Sequence, residues 1–224
     1  MDVQLIEFMG SDLMVANAAR RSFGAGYTEW SEEPRTARGR SDRQLVLDLA
    51  ADGHMLPFRH PHITISCDAP IPIARQLGKH QVGFEWSEIS RRYKTKDILY
   101  YKFGTKWRAD LADRRQGSGE LLPPDKQAFL KGIEDDAIRH CTALYIEALY
   151  HGASPEQARF LLPQSMLVHW TWTGSLLAWA HLYKQRTHKD TQQETREFAE
   201  KVGVIVSQHF PVSWEALTKG HTND

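Results

Sequence analysis

The stretch "QSMLVHWTWTGSLLAWAHLYKQR", residues 164–186, changes character halfway along. Residues 164–172 read as a β-strand and residues 174–186 as a helix. Downstream, "TQQETREFAEKVGVIVSQHF" (191–210) predicts another helix, set off by "THKD" with Asp190 placed to cap it. Upstream, "SPEQARFLL" (154–162) combines a capping Ser154, Pro155 in the first turn and Gln157 three residues past the cap, which marks a helix start. Between Lys126 and His151, apolar residues recur as Phe129, Leu130, Ile133, Ala137, Cys141, Leu144, Tyr145, Ala148 and Leu149. That spacing predicts a long amphipathic helix.

The first half mixes both element types. "VQLIEFM" (3–9) reads as an opening strand and "DLMVANAARRSF" (12–23) as a helix started by Asp12. A polar loop, "EEPRTARGRSDR" (32–43), leads to a short helix "QLVLDLAADG" (44–53) stopped by Gly53. "HITISCDAPI" (62–71) reads as a strand running directly into a helix, "PIARQLGKH" (72–80), and the Gly- and Pro-rich "ADLADRRQGSGELLPPD" (109–125) as a surface loop. The chain is therefore read as α+β, one domain over residues 1–224, with helices dominating the second half.

With 28 cations and 28 anions among 224 residues, the balance gives no hint of a nucleic-acid or membrane partner, and any anion site must be local. Cys67 and Cys141 sit in apolar contexts without a disulfide framework or zinc-ligand spacing, which fits a reducing, cytoplasmic setting. The start "MDVQLIEFMG" lacks the basic region of a signal peptide, and no apolar run is long enough to span a bilayer. His54, His60 and His62 lack an H-E-x-x-H pattern, so no metal site is expected. Neither a G-x-G-x-x-G loop nor a Walker loop is present.

Against this neutral background, "RQLGKHQVGFEWSEISRRY" (75–93) gathers Arg75, Lys79, His80, Arg91 and Arg92 around two carboxylates and the apolar Phe84 and Trp86. It reads as a site. Arg159 forms a second focus, and Ser175, His181, Arg186, Gln192, Glu194 and Arg196 a third. Plainer alternatives stand beside each: a solvated loop for Arg91 and Arg92, a packing role for His181, surface solvation for Glu194 and Arg196.

These residues together resemble the flavin-dependent thymidylate synthases. That family's signature is Arg-His-Arg, a short spacer, Asn-Glu, then Ser-x-Arg, preceded by Arg-Gln and followed by Tyr. Here Arg75-Gln76, Lys79-His80-Gln81, Glu88, Ser90 and Arg92-Tyr93 fill those places. The family's Arg-x-x-Leu-Pro, distant Arg and Gln-x-Glu-x-Arg are matched by Arg159 with Leu162-Pro163, by Arg186, and by Gln192, Glu194 and Arg196. Lys79 and Gln81 replace two arginines, Ser87 replaces Asn, and Leu56 and Arg59 replace a flavin-contacting pair in "HMLPFRH". Lysine keeps a charge without the bidentate fork, and glutamine loses the charge.

The resemblance implies an antiparallel or mixed central sheet and FAD-dependent methylation of dUMP at C5, with methylenetetrahydrofolate as carbon donor and NADPH as reductant. A related reading has the same chemistry on UMP in nucleoside-antibiotic synthesis, and a third an impaired nucleotide- or flavin-binding relative. By family position Arg186 is catalytic. Gln76, Lys79, Glu88, Ser90, Arg91, Arg92, Arg159 and Arg186 hold the nucleotide, and Lys79, His80, Gln81, Glu88, Ser175 and His181 the flavin. The family's sites are shared between subunits of a homotetramer.

Overall fold

The computed structural model describes residues 1–35, 39–111 and 117–220. Parts of both predicted loops, 36–38 and 112–116, lie outside the described residues. The four strands are β1 (Asp2–Met9), β2 (His62–Pro70), β3 (Phe84–Glu88) and β4 (Leu167–Ser175), all antiparallel, in the order β1-β2-β4-β3. β2 and β4 pair without a slip from His62 opposite Ser175 to Pro70 opposite Leu167. Alternation puts Ile63, Ile65, Cys67 and Ala69 of β2 and Val168, Trp170 and Trp172 of β4 on one buried face. Thr64 and Thr173 share a 2.9 Å hydroxyl contact on the other.

The helices are α1 (Asp12–Arg20), α2 (Asp42–Ala51), α3 (Ile71–Leu77), α4 (Pro124–Tyr150), α5 (Pro155–Ala158), α6 (Leu176–Arg186), α7 (Gln193–His209) and α8 (Pro211–Thr218). α3 and α7 pack together beside the sheet, α6 packs on α7, and α8 touches α1, α2, α6 and α7. Phe198, Val202 and Val206 of α7 and Trp179 and Leu182 of α6 are fully buried, so these two helices close the core over β2 and β4.

Several expectations are corrected. β3 and α8 were not anticipated as elements: β3 lies inside the stretch read as a site, and α8 begins at Pro211, which ends α7's ladder. β4 continues through Gly174 and Ser175, and the helix starts only at Leu176, because Ser175 is its cap and accepts from the Ala178 N–H. Asp12 does begin α1, but Ser11 caps it; the buried Asp12 carboxylate instead accepts from Val212 and Ser213 N–H at 3.0 and 2.9 Å, fixing the start of α8. Asp190 is not a cap, since α7 begins after Gln192 with no side-chain cap bond. α3 stops at Leu77, so His80 lies in the following turn.

The long α4 exists, but its buried residues are Gln127, Glu134, Ile138 and Tyr145, while Phe129, Ile133 and Leu144 of the predicted stripe are exposed. The reason is its partner. α4 packs on the backbone of segment 99–108 through hydrogen bonds: Glu134 accepts from Phe103 and Gly104 N–H, and Gln127 exchanges bonds with the Trp107 backbone. Such a partner selects polar inward residues. Among the described residues, no helix is long and apolar enough to cross a membrane.

Candidate active site

α6 buries Leu176 to Ala180 and Leu182, and Arg186, in its last turn, leaves the core. A cation in the last turn also suits the helix dipole. Arg186 donates from Nε to His80 Nε2 at 2.9 Å and from Nη2 to the Gln76 carbonyl at 3.2 Å. A guanidinium does not yield its proton, so the His80 ring proton resides on Nδ1. Burial, reinforced by the charges of Arg186 and His181, pushes the His80 pKa down to about 4 and leaves its imidazole neutral at neutral pH. His181 is also shifted down, by partial desolvation and then by Lys184 and Arg59.

Gln76, on the last turn of α3, is held by its side chain as well as its carbonyl. Its Oε1 accepts from Thr195 Oγ1 at 2.9 Å, and its Nε2 donates to Gln192 Oε1 at 3.1 Å. Sequence reasoning missed Thr195, which nothing in its "ETREF" context marks; α7 brings it, fully buried, against α3.

Two clefts meet at this cluster. One, of about 1100 Å³, is lined by Arg75, Lys79, His80, Gln81, Glu88, Ser90, Arg91 and Arg159, with Phe84, Trp86 and Trp172 as an aromatic wall. The other, of about 1310 Å³, is lined by Gln76, Arg186, Gln192, Glu194, Lys106 and Trp107 among others. The structure thus gathers most of the predicted residues, but on two sides of the Arg186–His80 contact.

Five of the residues singled out from the sequence have particular settings. Arg91 is 6% exposed and donates to the Lys94 and Lys96 carbonyls at 3.3 and 3.0 Å, so its guanidinium shapes the loop after β3. Arg92 is exposed outside both linings, 3.7 Å from Glu156. Ser175 is buried, and a Cβ at Gly83 (φ +79°) would lie 3.1 Å from its Oγ and from Ala178 Cβ, so Gly83 permits that close approach. His181 faces outward on α6. Arg196 donates to the Lys189 and Thr191 carbonyls, tying the turn between α6 and α7.

The aromatic wall continues inward: Trp86 stacks on Trp170 at 4.2 Å, and Phe84 meets Trp172 and Trp179, each at 4.7 Å. Phe84 and Trp86, the apolar pair of the site stretch, therefore pack. Sequence reasoning also missed His169, which lines the first cleft with Nδ1 held by the Asp68 carboxylate directly across the ladder. The alternation in "LVHWTWTGS" is the signal that places it. Cys67 is 1% exposed, and burial, with Asp68 and Asp2, pushes its thiol far above the usual range. Neither cysteine lines either cleft.

A part-buried arginine against a neutral histidine, with cations and an aromatic wall beside it, offers positive charge and a flat apolar surface in one place. The sequence profile of the family described as thymidylate synthase complementing protein (Thy1) matches residues 4–212, and the chain belongs to that family. It is 29% identical over 215 residues to the flavin-dependent thymidylate synthase of a Thermus thermophilus strain, covering 96% of this chain and 74% of that one. The enzyme of the same description from Thermosipho africanus is 28% identical over 220 residues, covering 97% and 90%. The crystal structure of the UMP/dUMP methylase PolB from Streptomyces cacaoi bound with 5-Br UMP superimposes with a TM-score of 0.83 at 26% identity, covering 97% of this chain and 93% of that one. The same methylase bound with 5-Br dUMP gives 0.83 over 98% and 95%. The chain is an enzyme of the flavin-dependent thymidylate synthase family.

Proposed function

We propose that the protein methylates a uridine monophosphate nucleotide at C5, converting dUMP to dTMP, with bound FAD, methylenetetrahydrofolate as carbon donor and NADPH as reductant. The observation that carries this is the Arg186–His80–Gln76 cluster at the junction of two clefts that no cysteine lines. C5 of uracil becomes nucleophilic only when electron density is pushed into the C5–C6 bond, and adding a thiolate at C6 is one way to do it. A core-buried Cys67 with a raised pKa argues against that route.

The residues fit a flavin. A neutral imidazole with Nδ1–H beside the aromatic wall of Phe84, Trp86 and Trp172 offers a donor and a flat surface rather than a charge trap. Flavin, when bound, supplies the hydride. Arg186 then faces the negative charge that spreads to N3 and the carbonyl oxygens of the pyrimidine, offering fixed charge and paired donors. His80 occupies Arg186 Nε and so fixes the plane in which the remaining donors lie. Ser90 and Arg159 take the phosphate, Glu88 accepts from the sugar, and Arg91 acts indirectly by holding residues 94–96. Lys79 and Gln81, in the lining of the first cleft, face the flavin, and His181 meets it by family position. Arg92, outside both linings, meets the nucleotide of a neighbouring subunit.

Separation of Ser90 and Arg159 from Gln76 and Arg186 into different clefts supports sites shared within a homotetramer. So do Phe129, Ile133 and Ile146 on α4 and Phe160 beside the first cleft, exposed at 70, 50, 59 and 83%. The likeness to a UMP/dUMP methylase favours a second reading, in which the ribonucleotide UMP is also methylated.

Arg186→Lys tests the central role. Lysine keeps the charge and loses the planar donors, so single-turnover methylation should fall by about a hundredfold, while nucleotide affinity changes far less. Equal losses in rate and affinity would reduce Arg186 to a binding residue.

A further inference from the structure

The buried Glu194 of the Gln-x-Glu-x-Arg motif makes one contact that reaches the site: its Oε2 accepts from Gln192 Nε2 at 2.8 Å. A carboxylate only accepts, so the NH₂ of Gln192 must face Glu194 and its carbonyl oxygen must face the other way. That oxygen meets Gln76, at 3.1 Å, so the Gln76 NH₂ must face Gln192 and the Gln76 oxygen must face Thr195, whose hydroxyl donates to it at 2.9 Å. The order Glu194, Gln192, Gln76, Thr195 therefore has one polarity, set at its anionic end. Glu194 is 8% exposed and Thr195 fully buried, so both ends of this order are held away from bulk water.

We propose that Glu194 is a positioning residue that selects uracil over cytosine by fixing which way the Gln76 amide presents its donor and acceptor. With one N–H given to Gln192 and one lone pair taken by Thr195, Gln76 keeps one N–H and one lone pair for the cleft. Uracil offers a carbonyl oxygen beside N3–H, the complement of that pair. Cytosine offers an amino group beside an unprotonated N3, which requires the amide turned over. Turning it over places Gln76 oxygen against Gln192 oxygen, two acceptors with no proton between them. Binding of cytosine thus leaves buried groups unpaired. The inference rests on the reading of Gln76 as a contact of the pyrimidine.

The test is equilibrium binding of dUMP and dCMP to the flavin-loaded protein by calorimetry. Two variants are compared with wild type: Glu194→Gln, whose amide can donate or accept, and Gln192→Met, a half-buried position that severs the relay without touching Glu194. Wild type should prefer dUMP by about a hundredfold. In both variants the preference should shrink to within a few-fold, chiefly through tighter dCMP binding. A folded variant of either kind that keeps the wild-type ratio overturns the inference alone. Wild-type protein that binds dUMP and dCMP equally also overturns it, and wild type that binds neither overturns the nucleotide reading with it.

Discussion

His80 shows how a single ionisation state is set by its neighbours. Its Nε2 accepts from Arg186 Nε, burial strips water from the ring, and both effects disfavour the imidazolium. Its pKa falls from 6.5 to about 4, so between these values the unfolded chain binds more protons than the folded one. The stability His80 contributes is fully present above about 6.5 and is lost as pH falls toward about 4. Nitrogen-detected NMR of ¹⁵N-histidine protein should show His80 as the Nδ1–H tautomer at pH 7, titrating near 4. A midpoint near 6.5 would mean that His80 is not buried against Arg186 in solution. The position of His80 as a site residue was legible in "RQLGKHQ" from the motif. Its protonation was not, because that depends on burial in the fold and then on Arg186, more than a hundred residues away in sequence.

At the scale of elements, β3 was hidden for a similar reason. "FEWSE" is short and charged, and what makes it a strand is the partner β4, whose Gly174 lies opposite Phe84. A Cβ at Gly174 would come within 2.4 Å of Phe84 Cε1 and 2.9 Å of Trp179 Nε1, so the absent side chain is the space the Phe84 ring fills. Gly174→Ala should therefore displace β3 from the ladder and cost about 2 kcal/mol, read as a lower urea midpoint. An unchanged midpoint would show that the Phe84 ring has room to shift. Strands and helices with strong periodicity, β2, β4, α6 and α7, were legible. α4 was legible as a helix but not in its orientation, because periodicity counts apolar residues and cannot report that the segment it packs on presents backbone N–H groups to Glu134 and Gln127.

At the scale of the whole molecule, the proposed homotetramer, if built on the exposed face of α4, should come apart when that face is charged. Ile133→Glu, at a half-exposed position with no hydrogen-bonding role, should leave the monomer folded and shift the assembly from about four chains toward one by light scattering. An unchanged mass would remove α4 from the interface. The family was legible in the motifs, whereas the division of the candidate site into two clefts depends on how the turn after α3 meets the end of α6.

The proposed reaction methylates a uridine nucleotide without a cysteine nucleophile. Its most direct test follows label from methylene-labelled methylenetetrahydrofolate into dUMP and UMP, with FAD and NADPH present, using wild type and the Cys67→Ala, Cys141→Ala double variant. Label should reach the C5 methyl of the product in both proteins, at rates within about tenfold of each other, since loss of a true nucleophile costs several orders of magnitude more. A folded, flavin-bound wild type that transfers no label, or a double variant that alone fails to, would contradict it.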